Sequence, residues 1–120
     1  MNAVTQIFAV LAGIIHIGIF AMESLLFTNP KVSRTFLGNA PMTPQLKVFA
    51  FNQGFYNLFL ALGAIGGVIA GGTAGKAIAL FSCACIVGAG LVLIASNPRL
   101  WRGAVGQIVP AGIALIAALF

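Results

Sequence analysis

The sequence predicts an all-α fold, an antiparallel four-helix transmembrane bundle with a short interfacial helix in its first loop. Three observations carry that prediction. The chain has 120 residues, 61% of them hydrophobic and only 6% charged, with a mean hydropathy of +1.12. A soluble domain of this size could not cover its surface with polar groups from such a composition. The apolar residues also gather in four runs, each near or above the ~20 residues that a helix needs to cross a bilayer. Finally, no run alternates polar and apolar residues at period two, which excludes a transmembrane barrel. One transmembrane domain, residues 1–120, accounts for the whole chain.

The first run covers residues 3–27. No basic segment precedes it, and it is apolar for longer than a secretory signal, so it reads as a retained span. The loop after it is TNPKVSRTFLGNAPMTP. Asn29 before Pro30 is a helix start and Gly38 a helix stop. Val32 and Phe36 lie four apart between them, with Lys31 and Arg34 elsewhere, the pattern of a helix lying in the membrane interface. Thr43 before Pro44 launches the second run, 45–70. A tight GGTAG connection leads to the third, 76–96. NPRLWR leads to the fourth, 103–120, with Trp101 as an interfacial anchor. That last run is the shortest and crosses only with little tilt or with local bilayer thinning.

The formal net charge is +5, but the basic residues fall at or between apolar runs. Lys31, Arg34, Lys47, Arg99 and Arg102 surround loops one and three, and only Lys76 is near loop two. This pattern orients a multi-pass protein in the plasma (inner) membrane, with both termini on the non-cytoplasmic side. The same residues meet lipid headgroups rather than nucleic acid. Cys83 and Cys85 are two apart and so do not face each other on a helix; they read as small core residues. One histidine, one carboxylate and these cysteines form no closed ligand set, so no metal or other cofactor is expected. Gly63, Gly67, Gly71 and Gly75 follow each other at four-residue spacing. They suit close helix approach, within one bundle or in a homo-oligomer.

Against this background the polar residues stand out. NQGFYN, residues 52–57, places Asn52, Gln53, Tyr56 and Asn57 within six positions inside a span. An unpaired amide in hydrocarbon costs roughly several kcal/mol. His16 and Glu23 are seven apart, two turns, and so share a face of the first helix. If the first connection centres near residue 36 or 37, His16 lies level with Asn57 near the midplane. Glu23 then lies level with residues 50–52, and Gln107 of the fourth helix with Asn52. The four polar residues of the second helix span an arc of about 140°. Seven side chains, His16, Glu23, Asn52, Gln53, Tyr56, Asn57 and Gln107, can therefore converge on one interior. Glu23 is either neutral there or paired with Arg102 or Lys47 reaching inward.

These residues carry a resemblance. The chain resembles a domain-of-unknown-function family of small four-span membrane proteins marked by an Asn-Gln-Gly-aromatic-Tyr-Asn signature. The matching features are His16 and Glu23 separated by six residues, NQGFYN at 52–57 and QIVP at 107–110, with comparable loop lengths along the whole chain. Family members often carry a tryptophan soon after the glutamate, where this sequence has Leu25-Leu26-Phe27. The resemblance implies the fold and the choice of residues. It implies no reaction.

Three functions fit the residues. The first is a polar intramembrane cavity for a small or lipid-like molecule. In it His16 and Glu23 would supply cofactor-free acid/base chemistry, and Asn52, Gln53, Tyr56, Asn57 and Gln107 would bind the substrate. The second is a proton-coupled transporter similar in outline to the small multidrug-resistance exporters, with the carboxylate shared by protons and substrate. The third is a non-catalytic protein whose partners are membrane lipids or a larger membrane protein.

Overall fold

The computed structural model describes residues 1–120, and every regular element is helical. Helix α1 runs Ala3–Phe20 and continues into a π-helical turn, Ala21–Leu25. Helix α2 is Pro30–Leu37, α3 is Pro44–Ala70 and α4 is Gly72–Ser96. A single 3₁₀ turn, Pro98–Leu100, precedes α5, Trp101–Ala117. Four helical segments, Ala3–Leu25, Pro44–Ala70, Gly72–Ser96 and Pro98–Ala117, are long and apolar enough to cross a membrane.

The helix starts obey local chemistry. Asn2 caps α1 by accepting from the Thr5 amide. Asn29 accepts from the Lys31 amide ahead of Pro30, and Thr43 accepts from the Leu46 amide ahead of Pro44. Each cap supplies an acceptor to a donor that the first turn leaves without one. Gly38 ends α2 at φ 59°, a conformation that side-chain-bearing residues avoid. The connection between α3 and α4 is shorter than GGTAG suggested. Gly71 and Gly72, at φ 65° and 64°, reverse the chain by themselves, and Thr73, Ala74 and Gly75 belong to the first turn of α4.

The four long helices form a square in which each side is antiparallel. Helix α1 packs on α3 and α5, α4 packs on α3 and α5, and α1 and α4 face each other across the diagonal. The enclosed residues are mostly small. Ala9, Ala12, Ala61, Ala64, Ala79, Ala104, Ala111 and Ala114 are buried, while Ile7, Phe49, Phe81, Val92 and Ile116 face outward. Helices gain no hydrophobic drive from leaving lipid for one another, so small residues are favoured where close backbone contact supplies the attraction. The α3–α4 crossing is the tightest example. A Cβ on Gly67 would lie 2.5 Å from the Ala79 nitrogen and 2.6 Å from the Gly75 oxygen.

Hydrogen bonds tie both ends of the square. At one end the Asn2 amide donates to the carbonyl of Ala117 at 2.7 Å, bringing the termini together. At the other, the Arg99 guanidinium donates to the carbonyls of Thr35 and Phe36, joining loop three to the last turn of α2. Beside it, Arg102 lies 5.4 Å from the ring centre of the half-exposed Trp101, a cation–π contact.

The α3–α4 crossing generates a prediction. Gly67→Ala should lower stability by about 1–3 kcal/mol through overpacking against backbone atoms. Gly66→Ala meets no atom within 4 Å and should leave stability unchanged or slightly raised. Reversible unfolding in mixed micelles measures both.

Candidate functional site

The end of α1 departs from regular winding where its one acid sits. The Leu26 amide donates to the carbonyl of Ala21 at 2.9 Å, a five-residue step that makes Ala21–Leu25 a π-helical turn. Such turns carry an extra residue and rotate the succeeding side chains out of α-helical phase. Glu23 sits in the middle of this turn. It turns toward α3, where its Oε1 accepts from the Asn57 amide at 2.5 Å. Asn57 is the only side chain bonded to it; neither Arg102 nor Lys47 pairs with the carboxylate.

The neighbouring contact explains the glycine of NQGFYN. Ser24 donates from Oγ to the carbonyl of Phe51 at 2.7 Å, and a Cβ on buried Gly54 would overlap that same Oγ. The sequence pattern marked the amides on either side and missed both Ser24 and Gly54. A hydroxyl next to the lone acid, and a glycine between the amides, were the available signals.

His16 lies elsewhere. Its ring is fully enclosed. Nδ1 is 2.8 Å from the carbonyl of Ala12, one turn back on its own helix. The Gln107 amide approaches the ring from α5, yet Nε2 has no hydrogen-bond partner. No hydrogen bond joins His16 to Asn57, whose amide goes to Glu23 and to the carbonyl of Gln53. Ser24 lies against Phe51, and the Phe20 and Phe55 rings are 5.1 Å apart, so His16 is level with the turn after Asn57. The His16 ring instead places Nδ1 against its own helix, at the carbonyl of Ala12.

Three more of the expected residues are exposed. Ala50, Gly54, Ala61, Ala64 and Gly67 form the enclosed face of α3. Of the polar arc, only Asn57 is part-buried; Asn52, Gln53 and Tyr56 are exposed. Asn52 folds its amide back onto the carbonyl of Val48 at 2.8 Å, which satisfies a donor without a second helix. The arc is wide enough that its far edge leaves the interior.

Glu23 borders three recesses at the loop-one end. One, of about 570 Å³, lies between the π-turn and the start of α3, with Ser24, Thr28, Lys47 and Phe51 in its walls. A second, of about 550 Å³, lies under Phe27 and Phe36 and reaches Asn52, Gln53 and Tyr56. The third, of about 410 Å³, runs inward to Asn57, Gln53, Ser96 and Gln107. Phe36 of α2 stands between the last two and packs its ring 5.8 Å from that of Phe27. Glu23, Gln53, Asn57 and Gln107 share a recess; His16 borders none of the three, although the Gln107 amide reaches its ring. Cys83 is buried and Cys85 half-buried, both as free thiols, and no cluster of three metal-ligating side chains exists.

The profile of a family described as "Protein of unknown function (DUF1304)" matches residues 10–119. The chain belongs to the DUF1304 family. No curated protein and no solved structure matches it. The match covers every span of this DUF1304 protein except the start of the first, and every residue of the Glu23 recesses.

The contacts of Arg99 yield a second prediction. No residue of α2 is buried, so it is held by half-buried side chains such as Phe36 and Leu37 and by the two bonds from Arg99. Arg99→Gln should speed amide hydrogen exchange across Pro30–Leu37 while leaving exchange in α3 and α4 unchanged.

Proposed function

We propose that this DUF1304 protein binds a small amphiphilic or lipid-like molecule in the recesses around Glu23, with Glu23 and Asn57 as the polar anchor. One observation carries the reading. The only acidic side chain of the chain has no cationic partner, bonds to a single neutral amide and borders open space on several sides. A carboxyl group kept near hydrocarbon without an internal partner is a costly arrangement, and intramembrane ionisable groups are functional candidates for that reason. Gln53, Gln107 and Ser96 add hydrogen-bonding groups, and Phe27 and Phe36 add apolar walls. A ligand with a polar head and an apolar body fits that distribution.

His16 is enclosed and borders none of the recesses that Glu23 lines, which weighs against the two acting as acid and base on one substrate, because both groups must reach the reacting atoms. A proton-coupled exchanger is the second reading, favoured by the same lone carboxyl group bordering several recesses. It requires that Glu23→Gln abolish transport driven by a proton gradient in proteoliposomes.

The expected placement in the membrane rests on charge. Lys31, Arg34, Lys47, Arg99 and Arg102 belong to the end opposite the joined termini, which supports an inner-membrane protein with loops one and three in the cytoplasm.

Two outcomes are expected. Native mass spectrometry of the gently extracted protein should find a discrete bound small molecule or lipid. Glu23→Gln and Asn57→Ala should each lose it while remaining folded; equal retention of bulk lipid by all three would overturn the reading. A periplasmically active reporter enzyme should work when fused after Phe120 and fail when inserted after Asn39. The reverse pattern would invert the topology.

A further inference from the structure

The recess between the π-turn and the start of α3 is bordered by an acid and an amine that do not meet. Glu23 on the π-turn and Lys47 in the first turn of α3 both border it. Glu23 bonds only to Asn57, through Oε1, and its Oε2 has no partner in the chain. Lys47 has no anionic partner, because Glu23 is the only acidic side chain. An acid and an amine that share a recess without pairing are complementary to a ligand carrying both charges.

Depth indicates what that ligand is. Helix α3 has 27 residues, about 40 Å at ~1.5 Å per residue, against a hydrocarbon core of ~30 Å. The surplus carries its first turns, including Lys47, into the headgroup layer. Glu23 is two residues from the end of its own span, Ala3–Leu25, and so reaches the same layer. The outer wall is apolar and faces lipid: Leu25, Val48 and Phe51 are 63%, 59% and 49% exposed.

We propose that this recess holds the headgroup of a zwitterionic aminophospholipid. The phosphate lies on Lys47 and the primary ammonium on Glu23, with the acyl chains along Leu25, Val48 and Phe51. Each side chain then has a partner through a charge-assisted hydrogen bond, stronger than a neutral one. The hydroxyl of Thr28, also in the wall, adds a neutral donor. The chemistry sets an order of preference. A phosphoethanolamine head satisfies both side chains. A phosphocholine head brings the positive charge without an N–H for the carboxylate. A phosphoglycerol head satisfies Lys47 and leaves Glu23 beside a net anion. A recess that acted through its basic rim alone would prefer phosphoglycerol. This assignment rests on the proposed function and names the ligand class for the same carboxyl group.

The test offers the purified protein an equimolar mixture of dioleoyl phosphatidylethanolamine, phosphatidylcholine and phosphatidylglycerol in mild detergent, and reads retained lipid by native mass spectrometry. Phosphatidylethanolamine should exceed phosphatidylglycerol by about tenfold or more, a difference on the scale of one charge-assisted hydrogen bond. Glu23→Gln should erase the preference for ethanolamine over choline, and Lys47→Gln should reduce retention of all three. Lys76→Gln, at the opposite end, should change nothing, and thermal unfolding verifies that each variant is folded. Glycerophosphoethanolamine, the soluble head without chains, should fail to displace the lipid; efficient displacement would mark a soluble ligand and overturn the lipid assignment. Phosphatidylglycerol retained as well as phosphatidylethanolamine, or an ethanolamine preference that survives Glu23→Gln, would also overturn it. If a different molecule is held in a manner dependent on Glu23 and Asn57, the headgroup assignment fails and the proposed function stands. If nothing depends on Glu23, both fail.

Discussion

Close backbone contact between helices is the constraint on which this structure rests. Inside a bilayer, apolar side chains gain little by leaving lipid for protein, so cohesion must come from short-range packing. The chain meets that demand by turning its large residues outward and its alanines and glycines inward. At Gly67 and Gly75 the α3 and α4 backbones come so near that neither position has room for a Cβ. Gly90 plays the same part between α4 and α5, where a Cβ would meet the Ile108 side chain at 2.5 Å.

Tight packing at one end contrasts with the loop-one end. There the helices no longer enclose the polar arc of α3, and α1 gives up regular winding. The π-turn and the Ser24–Gly54 contact act together. The extra residue swings Glu23 toward Asn57, and the missing side chain at Gly54 lets the turn approach α3 closely enough for the bond to form. Recesses then open around the carboxyl group rather than at the centre of the bundle. Helix α2 lies across this end, fastened by Arg99 and filled in by Phe36.

Much of this was legible in the residues. Hydropathy and span length specify four helices, and Asn29, Gly38 and Thr43 mark the limits of α2 and α3 through their capping chemistry. Glu23, Asn57, Gln53 and Gln107 could be singled out because amides and acids are expensive in lipid. The pairings were less legible. Counting from a loop midpoint sets relative depth but not which side chains bond, and the seven-residue spacing of His16 and Glu23 assumes an unbroken α-helix. No propensity of Ala21–Leu25 announces a π-turn; it arises from tertiary contact. The outward position of Tyr56 and Asn52 comes from an arc wider than the interface, which residue spacing can measure but cannot orient.

The clasp between Asn2 and Ala117 has a consequence for chain connectivity. With the first and last helices joined at one end and the Gly71–Gly72 reversal at that same end, the order of the helices is not inherent in the bundle. A short linker could close the old ends and new ones could be opened at the glycines. Such a circular permutant would begin with the α4–α5 hairpin and finish with α3. Its termini would emerge on the same face of the membrane as before. The fold is in this sense a closed ring of antiparallel neighbours, cut at one of two equivalent seams.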